Sequence, residues 1–253
     1  MREDIIFAYL LPYYLIKGDF FMKKSDNSMK IKKLVAVAMF SALAYVTTVL
    51  CGYFPKIGGF LSLEIKDAFI VICALIFGPA SGLAISVLVP VIESFTISVT
   101  GWYGLIMNVL SSATFVCVTG LIYKHKRNFF GATIGLLAGI FSVTAVMCVA
   151  NLLITPLYLT YMVGVPTTIS GVAKMIPTIL LPFNLVKAVL NGAVVLLLYK
   201  PLSTALKRSG FVAGSDKPQN SKKGFFCVRS LIVDLVAVAV IIASLCVLFF
   251  VLK

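Results

Sequence analysis

Long apolar runs parted by short clusters of lysine and arginine constrain this chain more than any other feature. The runs cover residues 34–54, 68–95, 102–123, 131–158, 176–199 and 231–252. About 20 apolar residues in helical form cross the ~30 Å hydrocarbon core of a bilayer. A soluble helix shows a polar face opposite its apolar stripe, and these runs have almost none. Charged residues make up 12% of the 253, against about 25% in ordinary soluble domains. The expected fold class is therefore all-α, a polytopic membrane protein.

The net charge of +13 raises nucleic-acid binding as a reading. The placement of the charge argues against it, because the basic residues sit in short clusters between apolar runs, as in cytoplasmic loops. Six cysteines occur without a C-x-x-C pair, so neither a zinc site nor a disulfide framework is legible. No G-x-x-x-x-G-K-[ST] motif, H-E-x-x-H motif, Ser/His constellation or hydrolytic carboxylate pair is present. ATP hydrolysis and redox or hydrolytic catalysis are thus not expected of this chain.

Residues 1–29 read as an N-terminal extension, with Met22 and Met29 as alternative starts. The first helix, 34–54, follows Lys23, Lys24, Lys30, Lys32 and Lys33, which places the N-terminus in the cytoplasm by the positive-inside tendency. Gly78-Pro79-Ala80-Ser81-Gly82 breaks the next run into a hairpin of 67–78 and 81–95. That division also sets the cluster Lys124–Arg127 on the inside. Helices over 131–158, ended by Pro156, and 176–199, ended at Lys200, complete a six-helix membrane domain spanning 30–208. Residues 159–175 form an outer loop, 209–229 a basic cytoplasmic linker, and 230–253 an additional transmembrane helix with Asp234 near its inner end.

Ionisable groups inside a span cost about 2.5–3.5 kcal/mol on insertion scales and mark function by default. Asn184, Lys187 and Asn191 are spaced three and four apart, on one helical face. Lys187 lies 13 residues from Lys200, about 20 Å along a helix and too deep to snorkel to the inner surface. It either faces a solute pocket or pairs with a buried acid. Asn151, Asn108, Glu64, Lys66, Asp67 and Glu93 gather at the same outer level. A pocket open to the outside accounts for this one-sided polarity. Phe54, Phe60, Trp102, Tyr103, Tyr158 and Tyr161 lie at the outer edge, as an interfacial belt or as surfaces that stack on a flat ligand. Ala38 and Ala42 form a small-xxx-small pair on the first helix, suited to close backbone approach.

Several segments resemble a known family. Leu181-Pro182-Phe183-Asn184-Leu185-Val186-Lys187 resembles the last core helix of riboflavin-specific substrate-binding (S) components of energy-coupling factor (ECF) transporters. Leu63-Glu64-Ile65-Lys66-Asp67, the turn Phe77-Gly78-Pro79-Ala80-Ser81-Gly82, Asn108 and Asn151–Tyr158 are similar to other elements of that family. The resemblance covers roughly residues 30–208. Two departures stand out: Ala68 follows Asp67 where the family often has proline, and helix 231–252 is not part of the usual fold.

The resemblance implies a six-helix S-component bundle that captures a vitamin from outside. It implies association with a transmembrane coupling protein and two cytoplasmic ATPases, in the plasma membrane, with riboflavin as transported ligand and no cofactor. The site it implies comprises Asn151, Asn184 and Lys187, with Glu64 at the acidic position of a gating loop. Ala38 and Ala42 would dock the coupling protein. Asp67, Asn108, Asn191 and Tyr158 join the candidate substrate-binding set. Two other readings remain open: an S component for another small metabolite, and a membrane assembly protein whose polar stripe serves subunit contacts.

Overall fold

A computed structural model describes residues 28–54, 56, 59–125, 129–211, 235–244 and 246. Nearly all of the extension 1–29, the linker beyond Phe211, Asp234 and much of helix 231–252 lie outside the described residues. Within that last stretch, Leu235–Ser244 is helical.

The described residues are almost entirely helical, with no strand. The helices are α1 (Ser28–Cys51), α2 (Lys66–Phe77), α3 (Pro79–Thr96), α4 (Gly101–His125), α5 (Phe129–Tyr158) and α6 (Ile169–Arg208). All but α2 are long and apolar enough to cross a membrane. Successive helices run antiparallel, which divides the bundle into two ends. One carries Lys30, Lys33, Lys124, His125, Lys200, Lys207 and Arg208, all exposed, and is the basic end. The other carries the connections around residues 52–65, 97–100 and 164–168 and is the loop end.

With 12 residues, α2 extends only about 18 Å at 1.5 Å per residue. It can be short because it is the centre of the core rather than a lipid-facing element. Ala68, Ile70, Val71, Ile72, Cys73, Ala74 and Leu75 are all buried, as expected of a helix apolar on every side. Phe40 of α1, Ile85 and Val89 of α3, Phe115 and Val116 of α4, and Leu136 and Val143 of α5 belong to the same cluster.

The turn between α2 and α3 is tighter than the sequence pattern suggests. Gly78 sits at φ 98°, a conformation glycine adopts without strain. Pro79 then opens α3 directly, since a proline at the first helical position loses no hydrogen bond. The helix therefore begins two residues before the expected 81. Larger differences concern α5 and α6. Pro156 does not end α5: the chain continues helically through a wide turn, Leu159–Val163, and stops at Gly164 (φ 79°). The expected outer loop 159–175 shrinks accordingly, because α6 starts at Ile169 behind the cap residue Thr168, whose side chain accepts from the Gly171 amide. A second wide turn, Ile176–Leu180, contains Pro177. Wide turns of this kind absorb a proline's missing donor without breaking the helix, as packed membrane helices allow. At the basic end α6 passes Lys200 and Pro201 and reaches Arg208.

The most extensive helix pair among α2–α6 is α4 against α5. It depends on Gly139: a Cβ there would lie 2.4 Å from Thr119 Oγ1 and 2.7 Å from the Phe115 ring. Both neighbours are fixed, since Phe115 is buried and Thr119 Oγ1 donates to the Gly135 carbonyl at 3.2 Å. Gly139→Ala should destabilise the protein by about 1–3 kcal/mol through overpacking, read as a lower Tm in detergent. An unchanged Tm would mean that the two helices can move apart freely.

Candidate solute-binding cavity

A cavity of about 410 Å³ opens at the loop end, within the ~300–1,000 Å³ typical of small-molecule sites. Every helix except α2 supplies part of its wall. Its construction begins with a local problem of sequence. α2 has no side-chain cap of its own, and it starts with the charged pair Lys66-Asp67, both buried.

Asn191 of α6 solves the first problem. It is fully buried, and its Oδ1 accepts from the Ala68 amide at 2.9 Å, satisfying one of the free amides of the α2 N-terminus from another helix. Its Nδ2 donates to the Glu64 carbonyl at 2.8 Å and to the Lys187 carbonyl at 2.9 Å. One carboxamide thereby joins the connection before α2, the first turn of α2 and the turn of α6 that carries Lys187.

The charges are matched in pairs. Glu64 Oε2 lies 3.0 Å from Lys66 Nζ and 3.0 Å from Lys187 Nζ. Lys66 also donates to Glu93, and Glu93 Oε1 accepts from Asn108 Nδ2 at 3.0 Å. Asp67 stands apart from these four, in the first turn of α2, where a carboxylate suits the helix dipole, and accepts from Ser112 Oγ. Charges this deep persist only when paired. Among the described residues no buried side-chain nitrogen or oxygen lacks a partner, and no cluster of metal-binding side chains occurs.

Of the polar residues singled out from sequence, Glu64, Glu93, Asn108, Asn151, Asn184 and Lys187 line the cavity, as does Tyr158. Asn184 Nδ2 donates to the Leu180 carbonyl at 2.7 Å, which leaves its Oδ1 as an acceptor. Asn151 Nδ2 donates to the Met147 carbonyl at 2.7 Å, and its Oδ1 accepts from Thr155 Oγ1 at 2.8 Å. Asn191 and Asp67 are not on the wall. Asn191 is consumed by backbone contacts, and Asp67 borders a void of about 10 Å³ behind Asn184 and Lys187. The place of Asn191 on the polar stripe and of Asp67 at the outer level was legible; their distance from the cavity depends on how deeply α2 sinks between its neighbours.

The aromatics divide. Phe60, Tyr103 and Tyr158 line the cavity, with ring centroids 6.1 Å apart for both Phe60–Tyr158 and Tyr103–Tyr158. Trp102, one residue from Tyr103 and so about 100° around the helix, is 70% exposed and stacks edge-on with the exposed Phe95. Phe54 and Tyr161 are exposed as well. Sequence reasoning missed Thr48, Met107, Met147 and Phe183, which also line the cavity; as ordinary members of apolar runs they carry no distinguishing signal.

Comparison with known proteins agrees with this architecture. The family described as "ECF transporter, substrate-specific component" matches residues 32–199. The chain belongs to that family. It is a transport component and a multi-pass membrane protein. The riboflavin transporter FmnP of Bacillus subtilis (strain 168) is 29% identical over 176 residues, 68% of this chain and 92% of that protein. The riboflavin transporter RibU of Staphylococcus aureus (strain TCH60) is 28% identical over 191 residues, 74% and 98% of the two chains. A solved S component of a bacterial ECF transporter superposes with a TM-score of 0.57 at 27% identity, covering 71% of this chain and 99% of that one. The family match runs from α1 into α6, and helix 235–244 falls outside it.

Asn191→Leu keeps the branched shape of the side chain and removes the carboxamide. It leaves the Glu64 carbonyl unpaired in the core, at about 1–3 kcal/mol, and leaves the Ala68 amide with only its 3.2 Å bond to the Ile65 carbonyl. A marked fall in Tm is expected, with or without ligand. A Tm within 1–2 °C of the parent would show that α2 does not rely on this cap.

Proposed function

We propose that this S component captures riboflavin from outside the cell and delivers it together with a coupling protein and two ATPases. The observation that carries the reading is the composition of the cavity wall. Phe60, Tyr103, Tyr158 and Phe183 offer apolar surface to a flat ring, while Asn108, Asn151, Asn184 and Lys187 offer hydrogen bonds. Glu64 and Glu93 balance Lys66 and Lys187, so these four buried charges ask for no counter-charge from the ligand. Riboflavin is neutral, with a planar ring whose edge bears amide-like groups and with a hydroxylated tail. That two relatives are named riboflavin transporters supports the same choice.

Orientation follows from charge. The basic end faces the cytoplasm by the positive-inside tendency, so the cavity opens outward and the N-terminus is inside, in the plasma membrane. Ala38 and Ala42 are exposed on α1, whereas Ala36, Phe40 and Ala44 turn into the core. The exposed pair suits the close approach of a helix from the coupling protein.

Purified protein should quench riboflavin fluorescence on binding, since stacking against aromatic rings quenches the flavin. Asn184→Ala and Lys187→Ala should each weaken binding by about ten- to a hundredfold, as expected for hydrogen bonds worth about 1–3 kcal/mol in a dry site, and should abolish uptake without loss of complex assembly. Binding of a different vitamin in place of riboflavin would move the protein to another specificity; assembly lost with binding intact would favour a scaffold. Separately, Ala38→Leu with Ala42→Leu should prevent co-purification of the coupling protein and spare riboflavin binding. Undiminished recovery of the partner would remove the docking assignment.

A further inference from the structure

Lys187 has a competitor for whatever ligand it serves. It lines the cavity, and its ammonium is held 3.0 Å from Glu64 Oε2. An ammonium has three donors, so a ligand acceptor that bonds Lys187 shares the cation with Glu64 and draws it away from the carboxylate. If Glu64 had no other partner, that shift would leave a buried carboxylate poorly neutralised, which is costly. Glu64 does have another partner. Lys66 Nζ sits on the same oxygen at 3.0 Å and donates to Glu93 as well.

Lys66 itself never reaches the ligand. It is fully buried and does not line the cavity. The residues facing its ammonium are Glu64 from the connection before α2 and Glu93 from α3, with Asp67 beside it on its own helix. From this position it can neutralise Glu64 whenever Lys187 leaves, without any backbone movement.

We infer that Lys66 is a positioning residue for solute binding, a buried reserve cation that takes over Glu64 and so releases Lys187 to the ligand. The inference rests on riboflavin being the solute and goes one step beyond it, to how the site affords its key donor. Lys66 and Lys187 act through a shared acceptor, so their effects on affinity are coupled. Without Lys66, two carboxylates compete with the ligand for Lys187. Without Glu93, Lys66 belongs to Glu64 alone and Lys187 is held less tightly than in the parent.

The test is a double-mutant cycle on riboflavin affinity, with the full chain in lipid nanodiscs. Lys66→Met should weaken binding by about tenfold or more, within the 5–150-fold span of typical coupling effects. In that background, adding Lys187→Met should cost less than about threefold, far below its cost in the parent. A residue needed only for packing would give losses that multiply. Glu93→Gln supplies an independent arm should Lys66→Met fail to fold, and it should tighten binding by about threefold or more. Multiplicative losses, parent-like affinity of Lys66→Met, or unchanged or weaker binding by Glu93→Gln would each overturn the inference. Failure of the parent protein to bind riboflavin would instead refute the riboflavin reading, and this inference with it.

Discussion

Everything at the loop end depends on buried charges being closed into a neutral set. Glu64 and Lys66, Glu93, and Lys187 are drawn from three different places in the chain, and each is tolerable in a low-dielectric interior only because the others are there. Glu64 touches both lysines and Lys66 touches both carboxylates. Displacing one member would expose the rest, so the connection before α2, the end of α3 and the middle of α6 are held in one arrangement. The cavity is the space left above this set.

Helix packing makes room for that arrangement. The short α2 sinks into the core on an apolar surface that is buried all round, which lowers Lys66 and Asp67 from a loop position to a buried one. Asn191 then caps α2 from α6 and fastens the Glu64 backbone to the turn bearing Lys187. Close approaches such as Gly139 on Phe115 keep α4 and α5 together at the far side. Fold stability and site geometry therefore share residues: the group that caps a helix also sets the position of an ion pair on the cavity wall.

Much of this was legible in the residues themselves. Run lengths and basic clusters indicate membrane helices, and the three-and-four spacing of Asn184, Lys187 and Asn191 places them on one face. The motif Leu181–Lys187 pointed to the family. Two kinds of fact were not legible. Helix ends depend on how neighbours re-satisfy backbone groups, so Pro156 reads as a stop and Lys200 as an end although the chain stays helical past both. Depth depends on what packs against a residue, so Asn191 and Asp67 read as cavity residues although Asn191 is taken up by α2 and the Glu64 backbone and Asp67, in α2 itself, turns to Ser112 of α4. The split between Tyr103 inside and Trp102 outside is a matter of helix rotation, to which composition is blind.

The most direct measurement is a structure of the full protein with riboflavin bound. The account requires the isoalloxazine ring against Phe60, Tyr103 and Tyr158, with polar edges within about 3.2 Å of Asn184 and Lys187, and Lys66 still on Glu64. A ligand seated elsewhere, or one that leaves the Glu64–Lys187 pair intact and makes no bond to α6, would contradict it.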